Sequence, residues 1–310
     1  VKAHTERVTA EVTFADVRDD GRMVHLWGPE AVNLLSSTAK TNMRRTLGKY
    51  RPDLTAPGPN EISPCDEVVE RLCFFSLLKV REGSPVQELG LGEDLPPMEW
   101  RMENLLPAHE PTLWFGDGDT GKSILAQAVG LCIQHGLDDL GFTPVQGNVL
   151  YLDWETSFQM VDRRTKMIKA GLGYPSGASM RYRHCFQSLS GDIATIHKLV
   201  ADHGIDYLII DSLAGAAGGD IQREEQVISF FNSLRSLGCG SLIIHHISKT
   251  QPSLPYGNSY IRNFVRSAFD LRRPPEAESS TEWSVNFSHN KSNDSARLPR
   301  FGFRLAFSSD

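Results

Sequence analysis

The stretch Gly116-Asp117-Gly118-Asp119-Thr120-Gly121-Lys122-Ser123 reads G-x-x-x-x-G-K-S. The apolar run Thr112-Leu113-Trp114-Phe115 leads into it and predicts a buried strand. A helical pattern of Ile124, Leu125, Ala128, Val129, Leu131 and Cys132 follows. Strand, glycine-rich loop and helix, in that order, form the setting in which such a loop cradles phosphate. The glycines let backbone N–H groups point inward, and the helix N-terminus behind them adds partial positive charge. Lys122 then reaches toward the β- and γ-phosphates, and the Ser123 hydroxyl toward Mg²⁺. The expected nucleotide-binding set is Gly116, Asp117, Gly118, Asp119, Thr120, Gly121, Lys122, Ser123 and Ile124. By itself the loop says only that a nucleoside triphosphate binds.

Outside this stretch, composition sets the bounds. The 310 residues suffice for one large domain or two ordinary ones. A hydrophobic share of 40% with 23% charged residues belongs to a globular chain, not a disordered one. No apolar run approaches the ~20 residues of a membrane span, so no membrane contact is expected. The net charge of −6 excludes a protein that simply coats DNA, and any nucleic-acid contact has to be local. Five cysteines without a C-x-x-C pair point to a reducing compartment, and a cytoplasmic location is expected. The chain starts at Val1 and stops at Ser308-Ser309-Asp310, so the numbering is expected to start inside a longer chain or after a removed tag, and the C-terminus to be trimmed as well.

Residues 1–95 have a different texture from the rest. Alternation over 8–17, the turn Asp19-Asp20-Gly21 and the run 23–27 predict a hairpin. Helices are expected over about 30–49 and 66–79, with a Pro/Gly loop over 51–64 between them. Lys40, Arg44, Arg45 and Lys49 cluster on the first helix and read best as a solvated face. The unit is expected to be a small α+β accessory or oligomerisation domain, with a linker over 82–97. Residues 96–310 then alternate. Strands are expected at 148–153, 182–186, 207–211 and 241–247, and helices at 124–136, 158–170, 193–203 and 224–237. Strands apolar almost throughout are buried on both faces, as in a parallel sheet. The class is α/β, doubly wound, closed by an antiparallel hairpin over 283–287 and 301–307.

Ligands of open α/β sheets lie at the carboxyl ends of strands, so the residues there carry the chemistry. In Leu152-Asp153-Trp154-Glu155, Glu155 follows a buried strand and is the candidate to activate a water. In Tyr207-Leu208-Ile209-Ile210-Asp211, four apolar residues and an aspartate make the Walker B pattern. It falls about 90 residues after the P-loop, and its carboxylate is expected to hold Mg²⁺. His245 and His246 end the last strand of the series. Neighbours on a strand point to opposite faces, so the pair is read as a polar sensor and not a chelate.

Together these elements resemble the RecA-type ATPase core, and most nearly the RepA-like hexameric replicative helicase branch. The resemblance rests on Gly116–Ser123, Asp153-Trp154-Glu155, the strand ending in Asp211-Ser212, His245-His246-Ile247-Ser248-Lys249 and the segment 257–266. It covers about 98–307, while residues 1–95 match no family. It implies a RecA-like mostly parallel sheet with helices on both faces, and ATP with Mg²⁺ as the cofactors. It makes Glu155 the catalytic glutamate and His246 the γ-phosphate sensor. Arg266 becomes an arginine finger supplied to a neighbouring subunit, with Lys291 a second basic residue acting in trans. A homo-oligomer, expected to be a hexamer, follows from that sharing. The family's central DNA loop falls at about 250–258, so Lys249, Thr250, Tyr256 and Asn258 are the candidates to touch single-stranded DNA. The basic segment 158–186, with Arg163, Arg164, Lys166, Lys169, Arg181 and Arg183, is a second candidate.

The resulting expectation is a ring motor that unwinds or translocates on single-stranded DNA in phage- or plasmid-type replication, with a replication partner at residues 1–95. The alternative is a RecA-like regulatory or recombination-mediating ATPase that switches an assembly on DNA without unwinding it. A small-molecule kinase is disfavoured by the strand ends at Glu155 and His246.

Overall fold

A computed structural model describes residues 9–17, 22–33, 36–55, 63–82, 89–90, 97–248, 254–274 and 281–307. The chain forms two compact units, Val1–Leu95 and Pro96–Asp310.

In the first unit, β1 (Thr9–Val17) and β2 (Met23–Asn33) pair antiparallel. Helices α1 (Ser37–Tyr50) and α2 (Pro64–Glu82) follow. The expected turn at Asp19-Asp20-Gly21 and most of the expected linker lie outside the described residues. β2 runs on to Asn33, so the first helix begins later than its sequence pattern suggested. Its start is set by Ser36, whose side chain accepts the Ala39 N–H at 3.2 Å as an N-cap. Val12, Val32, Met43, Leu47, Cys65, Val69 and Cys73 form the core. Part of the basic cluster on α1 clamps the two helices together. Lys40 pairs with Glu70 at 2.7 Å, and Arg44 reaches Asp66 at 2.6 Å and Glu70 at 2.5 Å.

The second unit begins with the short strands β3 (Trp100–Met102) and β4 (Leu106–Pro107). Next come β5 (Pro111–Gly116), α3 (Lys122–His135), β6 (Val149–Asp153), α4 (Phe158–Gly171) and β7 (Arg181–His184). The alternation continues with α5 (Ile193–His203), β8 (Tyr207–Asp211), α6 (Leu213–Ala217), α7 (Glu224–Ser236) and β9 (Gly240–His246). It closes with α8 (Tyr260–Phe264), β10 (Ser267–Arg272), β11 (Glu282–Ser292) and β12 (Phe301–Ala306).

Eight strands make one sheet in the order β12-β11-β10-β5-β9-β8-β6-β7. β10, β5, β9, β8, β6 and β7 run parallel, and β11 and β12 return antiparallel. Burial on both faces follows from alternation along each strand. On β5, Leu113 and Phe115 join one core, with Ile196 of α5 and Phe230 of α7. Trp114 joins the other, with Leu125 and Val129 of α3 and Val161 of α4. The fold is the α/β class expected, with helices on both faces and a closing C-terminal hairpin.

One strand escaped the sequence reading. Residues 267–272 are assigned no strand by the sequence pattern, yet β10 is buried and parallel to β5. Asp270 interrupts its apolar run, and that charge is neutralised within the sheet by Arg272, whose Nε lies 2.7 Å away.

Candidate nucleotide site

The glycine-rich loop joins the end of β5 to the start of α3, as its pattern requires. Gly121 takes φ 95° at the helix N-cap, a left-handed value that side chains disfavour. Thr120 Oγ1 donates to the Asp117 carbonyl at 2.7 Å and closes the loop on itself. Lys122 is buried, with 6% of its surface exposed. Its Nζ donates to the carbonyls of Gly116, at 3.1 Å, and of Asp117. Burial lowers its pKa, against the opposing charges of Asp211, Glu155, Asp117 and Asp119. The ammonium is thus held inside the loop, among acceptors that phosphate oxygens can replace.

A cavity of about 610 Å³ opens on the loop. Gly118 to Ile124 line one side, and Glu155, Thr156, Arg164, Asp211 and His246 the other. The ends of β5, β6, β8 and β9 therefore converge here, as the strand-end reading predicted. Asp211 is buried, and burial raises its pKa against the hydrogen bonds of Tyr151 and Ser123. Its Oδ2 accepts the Tyr151 hydroxyl at 2.5 Å, while Oδ1 is buried without a partner. An orphaned carboxylate oxygen beside the Ser123 hydroxyl fits a hydrated Mg²⁺, which prefers few protein oxygens alongside substrate phosphates. Among the described residues, no cluster of three or more His, Cys, Asp or Glu side chains can hold a metal ion. A cation here would rest on Asp211, Ser123 and the nucleotide itself.

Glu155 accepts a hydrogen bond from the Ser212 hydroxyl, and His246 Nε2 stands 3.7 Å from the same oxygen. Hydrogen bonding by His246, then by Ser212, lowers the Glu155 pKa, so the group is a carboxylate at neutral pH. The adjacent histidine differs, as opposite strand faces require. His245 is fully buried, and burial lowers its pKa to about 4. Neutral at physiological pH, it binds the Tyr256 carbonyl through Nε2 at 2.6 Å, so that nitrogen carries the hydrogen. The segment following the strand is therefore held by His245, while His246 faces the cavity.

The remaining candidates are not brought to this cavity. Arg266 immediately precedes β10, and its backbone N–H donates to the carbonyl of Pro111, at the amino end of β5. The length of β5 separates it from the loop by roughly 17 Å at the usual rise per strand residue. Arg266 is 47% exposed, and its Nε lies 3.6 Å from Glu110. It lines a second cavity of about 450 Å³, with His109, Leu234, Cys239 and Phe264. Lys291 donates to three carbonyls, of Arg262 at 2.7 Å, Asn263 at 3.3 Å and Val265 at 2.7 Å. In this arrangement its ammonium closes the end of α8.

Of the expected DNA contacts, Lys249 and Thr250 lie outside the described residues. Tyr256 and Asn258 are tied to the turn at Gln222: Gln222 Nε2 donates to Tyr256 Oη at 2.9 Å, and Asn258 Nδ2 to the Gln222 carbonyl at 3.2 Å. Much of the charge over 158–186 has local partners. Lys166 pairs with Asp162 at 2.6 Å, Arg183 with Asp192 at 2.5 Å, and Lys169 donates to the Ser176 carbonyl at 2.7 Å.

Sequence reasoning missed one wall. Trp283 reads from the sequence only as part of the closing hairpin and Arg273 carries no assignment, yet both line the nucleotide cavity. The Arg273 guanidinium lies 4.3 Å from the Trp283 ring centroid, and Trp283 stacks on Phe307 at 4.6 Å. Tyr151, beneath Asp211, was also missed. No linear signal marks these residues, because the sheet alone joins them to the loop.

A phosphate loop, a buried Walker B aspartate and a strand-end glutamate around one cavity define a P-loop nucleotide-binding protein. The family model described as AAA domain matches residues 78–252, more than half of the chain. The chain belongs to that family and is thereby an ATP-binding protein of the ATPase class. Among solved structures, the KaiC-like protein PH0186 from the hyperthermophilic archaeon Pyrococcus horikoshii OT3 is similar, with 14% identity and a TM-score of 0.47. The likeness covers 67% of this chain and 94% of that one. No curated protein matches the chain. No described helix is long and apolar enough to cross a membrane.

Proposed function

We propose that the protein is a Mg²⁺-dependent ATP hydrolase that works as a ring, completing each site between neighbouring copies and acting on single-stranded DNA. One observation carries the reading: Lys122, Asp211, Glu155 and His246 share a cavity, whereas Arg266 stands at the other end of the same sheet. Within one copy Arg266 is far from the loop, so its expected role can only be toward a neighbouring subunit. Head-to-tail packing brings the amino end of one sheet to the carboxyl end of the next, where an always-charged, bidentate guanidinium suits the γ-phosphate.

In this reading Lys122 binds the β- and γ-phosphates, and Glu155 takes the proton of an attacking water held in line with the γ-phosphorus. Ser123 and Asp211 would hold Mg²⁺, which would supply positive charge against the phosphates. The Arg273 guanidinium, braced on Trp283, offers the base a flat cationic surface. His246 links the γ-phosphate to the strand end, and His245 ties that end to the segment at Tyr256. Residues 1–95 serve as an accessory or oligomerisation unit and the point of contact for a replication partner.

Strand displacement on a forked DNA with ATP tests the reading. ATP-dependent displacement is expected, together with hydrolysis stimulated by single strands. Stimulated hydrolysis without displacement would instead favour an ATPase that switches an assembly on DNA.

A further inference from the structure

Glu155 stands two residues beyond the end of β6, where a chain ordinarily has many turn conformations open to it. Here each residue of the turn is tied down. Asp153 Oδ1 accepts the backbone N–H of Glu155 at 2.9 Å and that of Thr156 at 3.2 Å. The Trp154 N–H donates to the Asp211 carbonyl at 2.7 Å, and its indole Nε1 to the Gln187 carbonyl at 2.7 Å. The Cys185 N–H donates to the Asp153 carbonyl at 2.8 Å. The turn is thus held from the Walker B strand on one side and from the edge strand β7 on the other.

Asp153 is the centre of this frame. Its side chain is fully buried and lies outside the nucleotide cavity, so phosphate and solvent do not account for it. A buried carboxylate is costly unless every oxygen finds donors. Oδ1 has the two backbone N–H groups, and Oδ2 accepts the Tyr182 hydroxyl at 3.0 Å. β7 pairs in register with β6, Tyr182 beside Tyr151 and His184 beside Asp153. The Tyr182 ring is further wedged between Tyr151, stacked at 6.3 Å, and Phe158 at 5.5 Å. Burial, then the charge of Asp153, raises the pKa of the phenol far above its ordinary value, so it remains a donor at any working pH.

We infer that Asp153 and Tyr182 are positioning residues: Tyr182 fixes the Asp153 carboxylate, and Asp153 fixes the backbone turn that aims Glu155 at the γ-phosphate. The inference rests on the proposed role of Glu155 as the group that activates water. Tyr182→Phe keeps the ring and its packing and removes the hydroxyl, with its bond to Asp153 and its 3.4 Å contact to His184 Nδ1. In single-turnover hydrolysis by the full chain, Tyr182→Phe is expected to lower the rate roughly tenfold, the scale of a lost bond to a charged group. Nucleotide affinity, read separately with a fluorescent ATP analogue, should stay within twofold of the unsubstituted chain, roughly the scatter of a neutral substitution.

Combined with Glu155→Gln, Tyr182→Phe is expected to cost nothing further, because the residue it aims has already been disabled. Asp153→Asn keeps an acceptor for the two N–H groups but loses the acceptor for Tyr182, and should lose turnover to a similar degree. An unchanged rate in Tyr182→Phe, or the same loss with and without Glu155→Gln, would overturn the inference. Full-rate hydrolysis by Glu155→Gln alone would overturn the role of Glu155, and this inference with it, whatever Tyr182→Phe does.

Discussion

At the carboxyl end of the central sheet, Lys122, Asp153 and Asp211 are buried and pointed at or supporting one cavity. At the amino end, Arg266 and Glu110 stand about half exposed, 3.6 Å apart, on the rim of another. Both ends of the sheet carry charge, but under different physical conditions. Buried groups lose water and are fixed by their neighbours, so they act where the fold holds them. A half-exposed pair is screened and contributes little to stability. Arg266 can therefore leave Glu110 cheaply when a stronger anion arrives. One end is a receptor prepared in advance, and the other is a cation awaiting a counterpart.

The largest effect should follow from emptying the receptor. Lys122→Ala is expected to reduce steady-state phosphate release by about a hundredfold or more, as loss of a phosphate-stabilising cation does. Unchanged release would remove the nucleotide assignment and with it the contrast between the ends. Arg266→Ala comes next. It should bind a fluorescent ATP analogue normally and lose turnover by roughly a hundredfold, below the upper range for an arginine finger. Mixing Arg266→Ala with Lys122→Ala chains should restore part of the activity, since each lacks a different half of the shared site. No recovery, or full-rate hydrolysis by a strictly monomeric chain, would place both ends in separate functions.

The smallest effect concerns the cost of burial. His245 titrates at about 4 in the fold, against an ordinary 6.5. Between these values the unfolded chain binds the proton and the folded one does not. Stability from this site is therefore complete above about pH 6.5 and declines as the pH falls toward 4. Urea midpoints at pH 7 and pH 5 should fall less for His245→Gln than for the unsubstituted chain. Equal slopes would mean that His245 is not the buried neutral group described.

What was legible in the sequence was local in the chain. The P-loop and the residues at the three other strand ends read as neighbours, because a parallel sheet gathers its carboxyl termini at one edge. What escaped was contact across strands. Tyr151 meets Asp211 only because β6 lies beside β8, and Trp283 reaches the cavity only because β11 and β12 fold back along β10. β10 itself was hidden by Asp270, a charge that its own strand neutralises. Lys40 and Arg44 looked like a solvated face because their partners, Asp66 and Glu70, belong to another helix. Lys291 carries no sequence mark of the three carbonyls it binds.

The packing behind the P-loop sets a limit on how the protein can be divided. A methyl group on Gly121 would lie 2.7 Å from Leu305 of β12 and 3.5 Å from the indole nitrogen of Trp283. A methyl group on Gly116 would meet the Leu271 carbonyl of β10 at 2.4 Å. The loop is eight residues long in the sequence, but its mould is completed by the last strands of the chain. A fragment that ends after β9 would keep every P-loop residue and the Walker B aspartate, yet lack the wall they lean on. A piece that keeps this wall therefore runs through Phe307, which stacks on Trp283, and grafting the eight residues onto another sheet would transfer the letters without the mould.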